Sequence, residues 1–235
     1  MRILVVGSGG VGAAFAPIAA RRNFYEHIVF ADYDEARAKS VVDRYGSDGK
    51  FSAARVDASD AAAVAEVATA NRCDAVLNAV DPRFVPGVFE GAFRSGATYV
   101  DMAMSLSQPH PERPYELTGV KLGDDQFAVA KECEERGRLA LVGCGVEPGL
   151  SDVFARYAAD HLFSEIDECG VRDGGNLVVE GHDFAPGFSI WTTIEECLNP
   201  PIIWEKERGW FTTPPFSEPE RFTFPAGIEI GRAHV

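Results

Sequence analysis

Residues 2–19, RILVVGSGGVGAAFAPIA, set five strand-forming residues directly against a run of glycines and then an alanine-rich helical pattern. No other stretch restricts the fold as strongly. A strand that ends at Val6 and a helix that begins by Gly10 leave only a tight turn, which glycine's backbone freedom permits. A helix that follows a strand so closely packs back onto the sheet and leads, by a right-handed crossover, to a parallel neighbour. The same rhythm continues for the first 145 residues. Apolar, β-rich runs fall at 28–31, 52–56, 75–80, 98–101 and 139–142, with helical patterns near 10–22, 34–45, 60–71, 84–95 and 125–137. Near-continuous apolar strands alternating with helices predict an α/β class, a doubly wound parallel sheet covered on both faces.

Gly7, Ser8, Gly9, Gly10, Val11 and Gly12 fit G-x-G-x-x-G in the context that pattern requires, after a strand and at the start of a helix. Gly7 allows the turn, Gly9 lets a pyrophosphate approach the backbone, and Gly12 brings helix and strand together. The helix N-terminus adds free N–H groups and partial positive charge. Asp32, 20 residues after Gly12, stands where a carboxylate accepts hydrogen bonds from a ribose hydroxyl. The expected fold is therefore the Rossmann type, and the expected ligand a nicotinamide dinucleotide. Asp32 repels a 2′-phosphate, its neighbour is Tyr33, and the nearest arginine along the chain is Arg37, a helical turn further on, so NAD is favoured with NADP as the alternative. Asp57 reads either as a contact at the adenine end or as a turn or cap residue. Asn78, Ala79 and Val80 end the fourth strand beside the expected dinucleotide path.

The formal net charge of −14 argues against a broad phosphate-backbone surface, so no nucleic-acid partner is expected. The five cysteines are scattered without a C-x-x-C pair, which suggests neither metal nor disulfide framework. No apolar run reaches membrane-spanning length, and the reading is a reduced, cytoplasmic protein with no membrane partner. Residues 104–124 interrupt the α/β rhythm with a Pro-rich loop expected on the carboxyl side of the sheet. After about residue 163, short aromatic segments between Gly and Pro read as strands and turns, with a short helix near 192–198. The expected organisation is a dinucleotide-binding domain over 1–145, the beginning of a second, α+β domain over 146–229, and a non-native tail at 230–235. That tail, IGRAHV, reads like translated adapter sequence, with the gene expected to be cut before its natural end, or else as an ordinary polar tail.

Three stretches together resemble the saccharopine dehydrogenase family: the glycine fingerprint, DAVLNAVDPRFVPGVFEGAFRSGATYVDMA (74–103) and LVGCGVEPGLSDVFARYAADHL (141–162). The matching positions are Asn78-Ala79, Gly96 to Asp101, and Gly145-Val146-Glu147-Pro148-Gly149. The likeness covers roughly residues 1–165. It implies a nicotinamide-dependent oxidoreductase that oxidises a secondary amine, or reduces the matching imine, of an amino-acid-derived small molecule, and a homodimer at full length. It makes residues 146–229 the beginning of a substrate and dimerisation domain, and the turn at 143–149 its entry, where a helix N-terminus attracts a substrate carboxylate or simply turns the chain. Pro148 stands where a second fingerprint would need glycine. Asp101, ending the fifth strand, is a candidate to manage the proton on nitrogen or else caps the long loop. Cys144 is a weak acid or a small packed residue. Two rival readings are a dinucleotide-binding regulator without turnover and an enoyl-type reductase with Trp191, Trp204 and Trp210 lining an apolar site. Those tryptophans otherwise read as sheet core and interface.

Overall fold

Along β1 (Arg2–Val6) the side chains part to two faces, because successive residues of a strand point in opposite directions. Ile3 and Val5 pack on one side and Leu4 and Val6 on the other, and β2 (His27–Asp32) divides likewise, Ile28 and Phe30 against Val29 and Ala31. Each face needs its own helical cover. On the first side it comes from α1 (Gly10–Ala19) and α2 (Glu35–Tyr45), through Ala16, Ala19, Ala38 and Val41. On the second it comes from α3 (Ala61–Ala70) and α4 (Val85–Ser95), through Val64, Ala68, Val88 and Ala92. The remaining parallel strands are β3 (Phe51–Arg55), β4 (Ala75–Asn78), β5 (Thr98–Asp101) and β6 (Ala140–Leu141). Their order is β3-β2-β1-β4-β5-β6, which reverses between β1 and β4 and so opens a crevice at the carboxyl ends of those strands. This is the Rossmann-like α/β fold.

The computed structural model describes residues 1–46, 48–172, 179–182, 189–217, 219–224 and 232–234. The helices start where local chemistry says they should. Asp34 and Asp60 cap α2 and α3 by accepting backbone N–H bonds from the first turn, and Gly96 ends α4 at φ 82°. Gly91 of α4 lies so close to α3 that an added Cβ would stand 2.6 Å from the Val64 side chain. The expected helix at 125–137 is two short ones, α5 (Asp124–Ala128) and α6 (Ala130–Glu135), broken at Val129. The break separates two inward residues, Gln126 and Cys133.

The chain divides into two compact units, Met1–Leu106 with Gly123–Leu150, and Ser107–Leu122 with Ser151–Val235. The expected loop thus groups mostly with the later residues. It is pinned by a bridge between Gln108 and Val120, and the hydroxyl of Thr212 donates to the carbonyls of Pro114 and Leu117. Two helices follow, α7 (Leu150–His161) and α8 (Ile190–Leu198), and neither buries a residue. Among the described residues the second unit also holds two antiparallel pairs: β7 (Ile202–Glu205) with β8 (Gly209–Thr212), and β9 (Pro219–Arg221) with β10 (Arg232–His234). Trp191, Trp204 and Trp210 are each more than half exposed, so the expectation that they form sheet core is corrected. Trp204 and Trp210 stand on a two-stranded ribbon with too few strands to enclose a core, and Trp191 lies on α8, which buries none of its residues. Residues 173–178 of the aromatic segment, and residues 230, 231 and 235 of the expected tail, lie outside the described residues. Among the described residues no helix is long and apolar enough to cross a membrane.

Candidate functional site

The turn after β1 is built by two glycines and left open by two others. Gly7, at φ 102°, donates its N–H to the Ala31 carbonyl, and a Cβ there would meet the Ala79 carbonyl oxygen at 2.6 Å. At Gly12 a Cβ would fall 1.9 Å from the Gly7 oxygen, so α1 can lie against the turn only without a side chain. Gly9 and Gly10 are exposed, and a Cβ on either would meet nothing within 4 Å. Gly9 is the N-cap of α1 and supplies no side-chain bond to the first turn. The open N-terminus of α1 is therefore suited to an anion.

Ser8 and Asp32 tie this turn to β2. The Ser8 N–H donates to Asp32 Oδ2 at 2.8 Å, and its side chain is buried. That N–H is taken by the protein itself, although Ser8 belongs to the expected cofactor set. The Asp34 N–H donates to Asp32 Oδ1 at 3.0 Å. A carboxylate offers about four acceptor positions, so roughly two stay open for ribose hydroxyls. Val11 is exposed on the first turn of α1. Tyr33 is exposed, with the Arg55 guanidinium carbon 5.2 Å from its ring centroid. Asp57 accepts from the N–H and the hydroxyl of Ser59, which hold its carboxyl below the usual range. In the structure it makes the turn ahead of α3.

Asn78 is buried and acts on the chain around it. Its Oδ1 accepts from the Val80 N–H, and its amide donates to the Tyr99 hydroxyl at 3.0 Å. This bends Ala79 and Val80 over Gly7. The Tyr99 hydroxyl in turn donates to Asp101 Oδ2 at 2.9 Å. Burial, with the Asp101 charge second, pushes the Tyr99 phenol well above its usual range.

Asp101 is 1% exposed, and its carboxylate accepts four bonds. Tyr99 and the Gln126 amide (2.8 Å) donate to Oδ2; the N–H groups of Gly143 (2.8 Å) and Met104 (3.3 Å) donate to Oδ1. The Asp101 carbonyl also accepts from the Cys144 N–H at 2.8 Å. The two residues singled out for proton chemistry are thus brought together through the backbone. Asp101 faces inward, whereas Cys144 is exposed. The Ser105 N–H donates to Gln126 Oε1. Sequence reasoning held Tyr99 within the Gly96 to Asp101 motif but gave it no role, and it missed Gln126 and Arg55. The two-residue spacing from Tyr99 to Asp101 puts them on one strand face; nothing local marks the other two.

The turn at 143–149 closes on itself. The Gly145 N–H donates to the Pro148 carbonyl, and Gly145 carries the Leu150 N–H on its oxygen. A separate hollow of about 290 Å³ is lined by Phe89, Phe93, Val129 and Arg138 among others. The Arg138 guanidinium there bonds the Gly96 carbonyl, which marks the amino ends of β5 and β6, opposite the crevice.

A family model described as the saccharopine dehydrogenase NADP binding domain matches residues 3–141. Carboxynorspermidine synthase of Vibrio cholerae is 29% identical over 238 residues, which cover 96% of this chain and 55% of that protein. Carboxyaminopropylagmatine dehydrogenase of a Synechocystis species is 27% identical over 197 residues, covering 83% and 46%. The chain spans about half the length of the curated relatives it matches. Among solved structures, apo saccharopine dehydrogenase (L-Glu forming) from Saccharomyces cerevisiae aligns with a TM-score of 0.52 and 21% identity, over 68% of this chain and 31% of that one. That likeness speaks for the fold.

Proposed function

The chain belongs to the saccharopine dehydrogenase family, and from that premise we propose that the whole protein is a nicotinamide-dependent oxidoreductase acting on the carbon–nitrogen bond of an amino-acid-derived amine. The observation that carries the reading is the open N-terminus of α1 at Gly9 and Gly10, faced by the half-filled carboxylate of Asp32. When bound, the dinucleotide supplies hydride transfer. The α1 amides hold its pyrophosphate, and Asp32 holds a ribose. Gly7, Gly12, Asn78, Ala79 and Val80 shape the floor of the cradle, with Val11 and Tyr33 at its rim.

The substrate class is proposed from the relatives' names, which denote basic amines with a carboxylated arm. A net charge of −14 suits the attraction of such a polycation. Asp101 serves as a positioning residue: with four bonds to its carboxylate, it fixes the end of β5 and the backbone at Gly143, which sets the exposed Cys144 thiol in place. Cys144 is the member of the pair that reaches solvent. A homodimer and a cytoplasmic location belong to the same proposal. The location is supported by five free cysteines with no disulfide among them.

The test is to mix the whole protein with reduced nicotinamide cofactor, a panel of polyamines and agmatine-like amines, and carboxylated aldehydes, and to follow nicotinamide absorbance. Oxidation that depends on both amine and aldehyde is expected. Cofactor binding without turnover on any pair would overturn the enzymatic reading in favour of a dinucleotide-binding regulator.

A further inference from the structure

The end of β3 carries a cation that the glycine motif does not announce. β2 and β3 are parallel and in register, with Asp32 opposite Arg55. Phe30 on β2, and Phe51 and Ala53 on β3, all pack in the layer of α1 and α2. Strand residues two apart share a face, so Asp32 and Arg55 emerge on that same side, the side of the dinucleotide cradle.

Arg55 is exposed but held. Its Nε donates to the Tyr33 carbonyl at 3.3 Å, and its guanidinium stands over the Tyr33 ring. Among the described residues it forms no ion pair within 4.0 Å, whereas Arg37 is 3.7 Å from Asp34. Asp57, two positions on, is bonded to Ser59, and the Arg55 charge adds only a lesser pull on its carboxyl beyond those bonds. A guanidinium with its plane fixed through Nε and an aromatic ring presents its two terminal nitrogens as a ready fork for a phosphate. Asp32 opposes a phosphate less than a free carboxylate would, because the Ser8 and Asp34 N–H groups already bond both its oxygens.

Resting on the dinucleotide reading above, we propose that Arg55, backed by Tyr33, receives the 2′-phosphate of NADP(H), so that the site takes the phosphorylated cofactor in spite of Asp32. Arg55 is then a specificity-determining residue that positions no part of the reacting nicotinamide.

Calorimetric titration of this chain and its Arg55→Ala and Arg55→Lys variants with NADPH and NADH tests the assignment. In Arg55→Ala, NADPH affinity is expected to fall about 10- to 100-fold, the range for losing a charge-assisted bond. NADH affinity and melting temperature should not change, and Arg55→Lys should recover part of the loss. Equal weakening of both cofactors would make Arg55 an adenine support and overturn the proposal, as would no change in either. A chain that binds NADH but not NADPH overturns it while leaving the dinucleotide site intact. A chain that binds neither removes both readings.

Discussion

At Gly9 and Gly10 an added Cβ would meet no atom within 4 Å, whereas at Gly145 and Gly149 it would meet backbone oxygens at 2.6 and 2.3 Å. The two turns share a pattern of strand, glycines and helix, yet the space beside them differs. In the first, Gly7 and Gly12 do the internal packing, so Gly9 and Gly10 are left facing outward. In the second, Gly149 lies against the backbone of Gly145 and Gly143, Gly145 lies against the Met102 and Pro148 carbonyls, and Gly143, at φ 68°, packs on the Met104 side chain. Glycine in the first turn keeps room for a ligand. Glycine in the second lets the chain fold onto itself, and the exposed groups there are side chains such as Cys144 and Val146.

The sharpest way to break this comparison is Gly9→Asp. A carboxylate at the open N-terminus of α1 should lower NAD(P)H affinity by about 100-fold or more through like-charge contact with the pyrophosphate. The fold should survive, since a Cβ at Gly9 meets nothing within 4 Å and an aspartate is a favourable helix N-cap. Calorimetry showing unchanged affinity would place the dinucleotide elsewhere.

Asp101→Asn probes the anchor beneath the second turn. Its amide would turn two hydrogens toward donors that now bond a carboxylate, leaving some of Tyr99, Gln126, Gly143 and Met104 unsatisfied. A loss of about 2–3 kcal/mol is expected in urea unfolding. A variant as stable as the parent would mean that the network tolerates an uncharged centre and that the inward carboxylate serves something other than architecture.

Gly145→Ala should cost about 1–2 kcal/mol, because its methyl would press on the Met102 and Pro148 carbonyls. Folded protein should keep its dinucleotide affinity. If Gly145→Ala weakened binding and left stability alone, the two turns would have exchanged the roles assigned to them.

The smallest effect concerns the thiols. Cys144 is exposed, whereas burial pushes the Cys73 thiol up to about 11. A raised pKa means less thiolate at a given pH, so alkylation near about pH 8 should modify Cys144 well before Cys73. Mass mapping of the native protein checks the order, and early labelling of Cys73 would contradict its partial burial.

Much of this protein is legible from local chemistry alone. The strands from β1 to β5, the caps at Asp34 and Asp60, the glycine fingerprint and the position of Asp32 depend on residues a few places apart. Strand alternation, turn conformation and helix starts act over that range. The family resemblance adds the expected chemistry. The roles of Gly7, Gly9 and Gly12, and the Pro148 that sets the second turn apart, are legible along the chain, whereas tertiary structure decided that Gly145 and Gly149 face backbone. It decided that Asp101 points inward, because Gln126 and Gly143 reach it from 25 and 42 residues away. It also set Arg55 opposite Asp32, a neighbour relation created by the parallel register of β2 and β3 and invisible in the 22 positions between them. Hydrogen bonds and charges act through space, and distance along the chain does not report distance across a sheet.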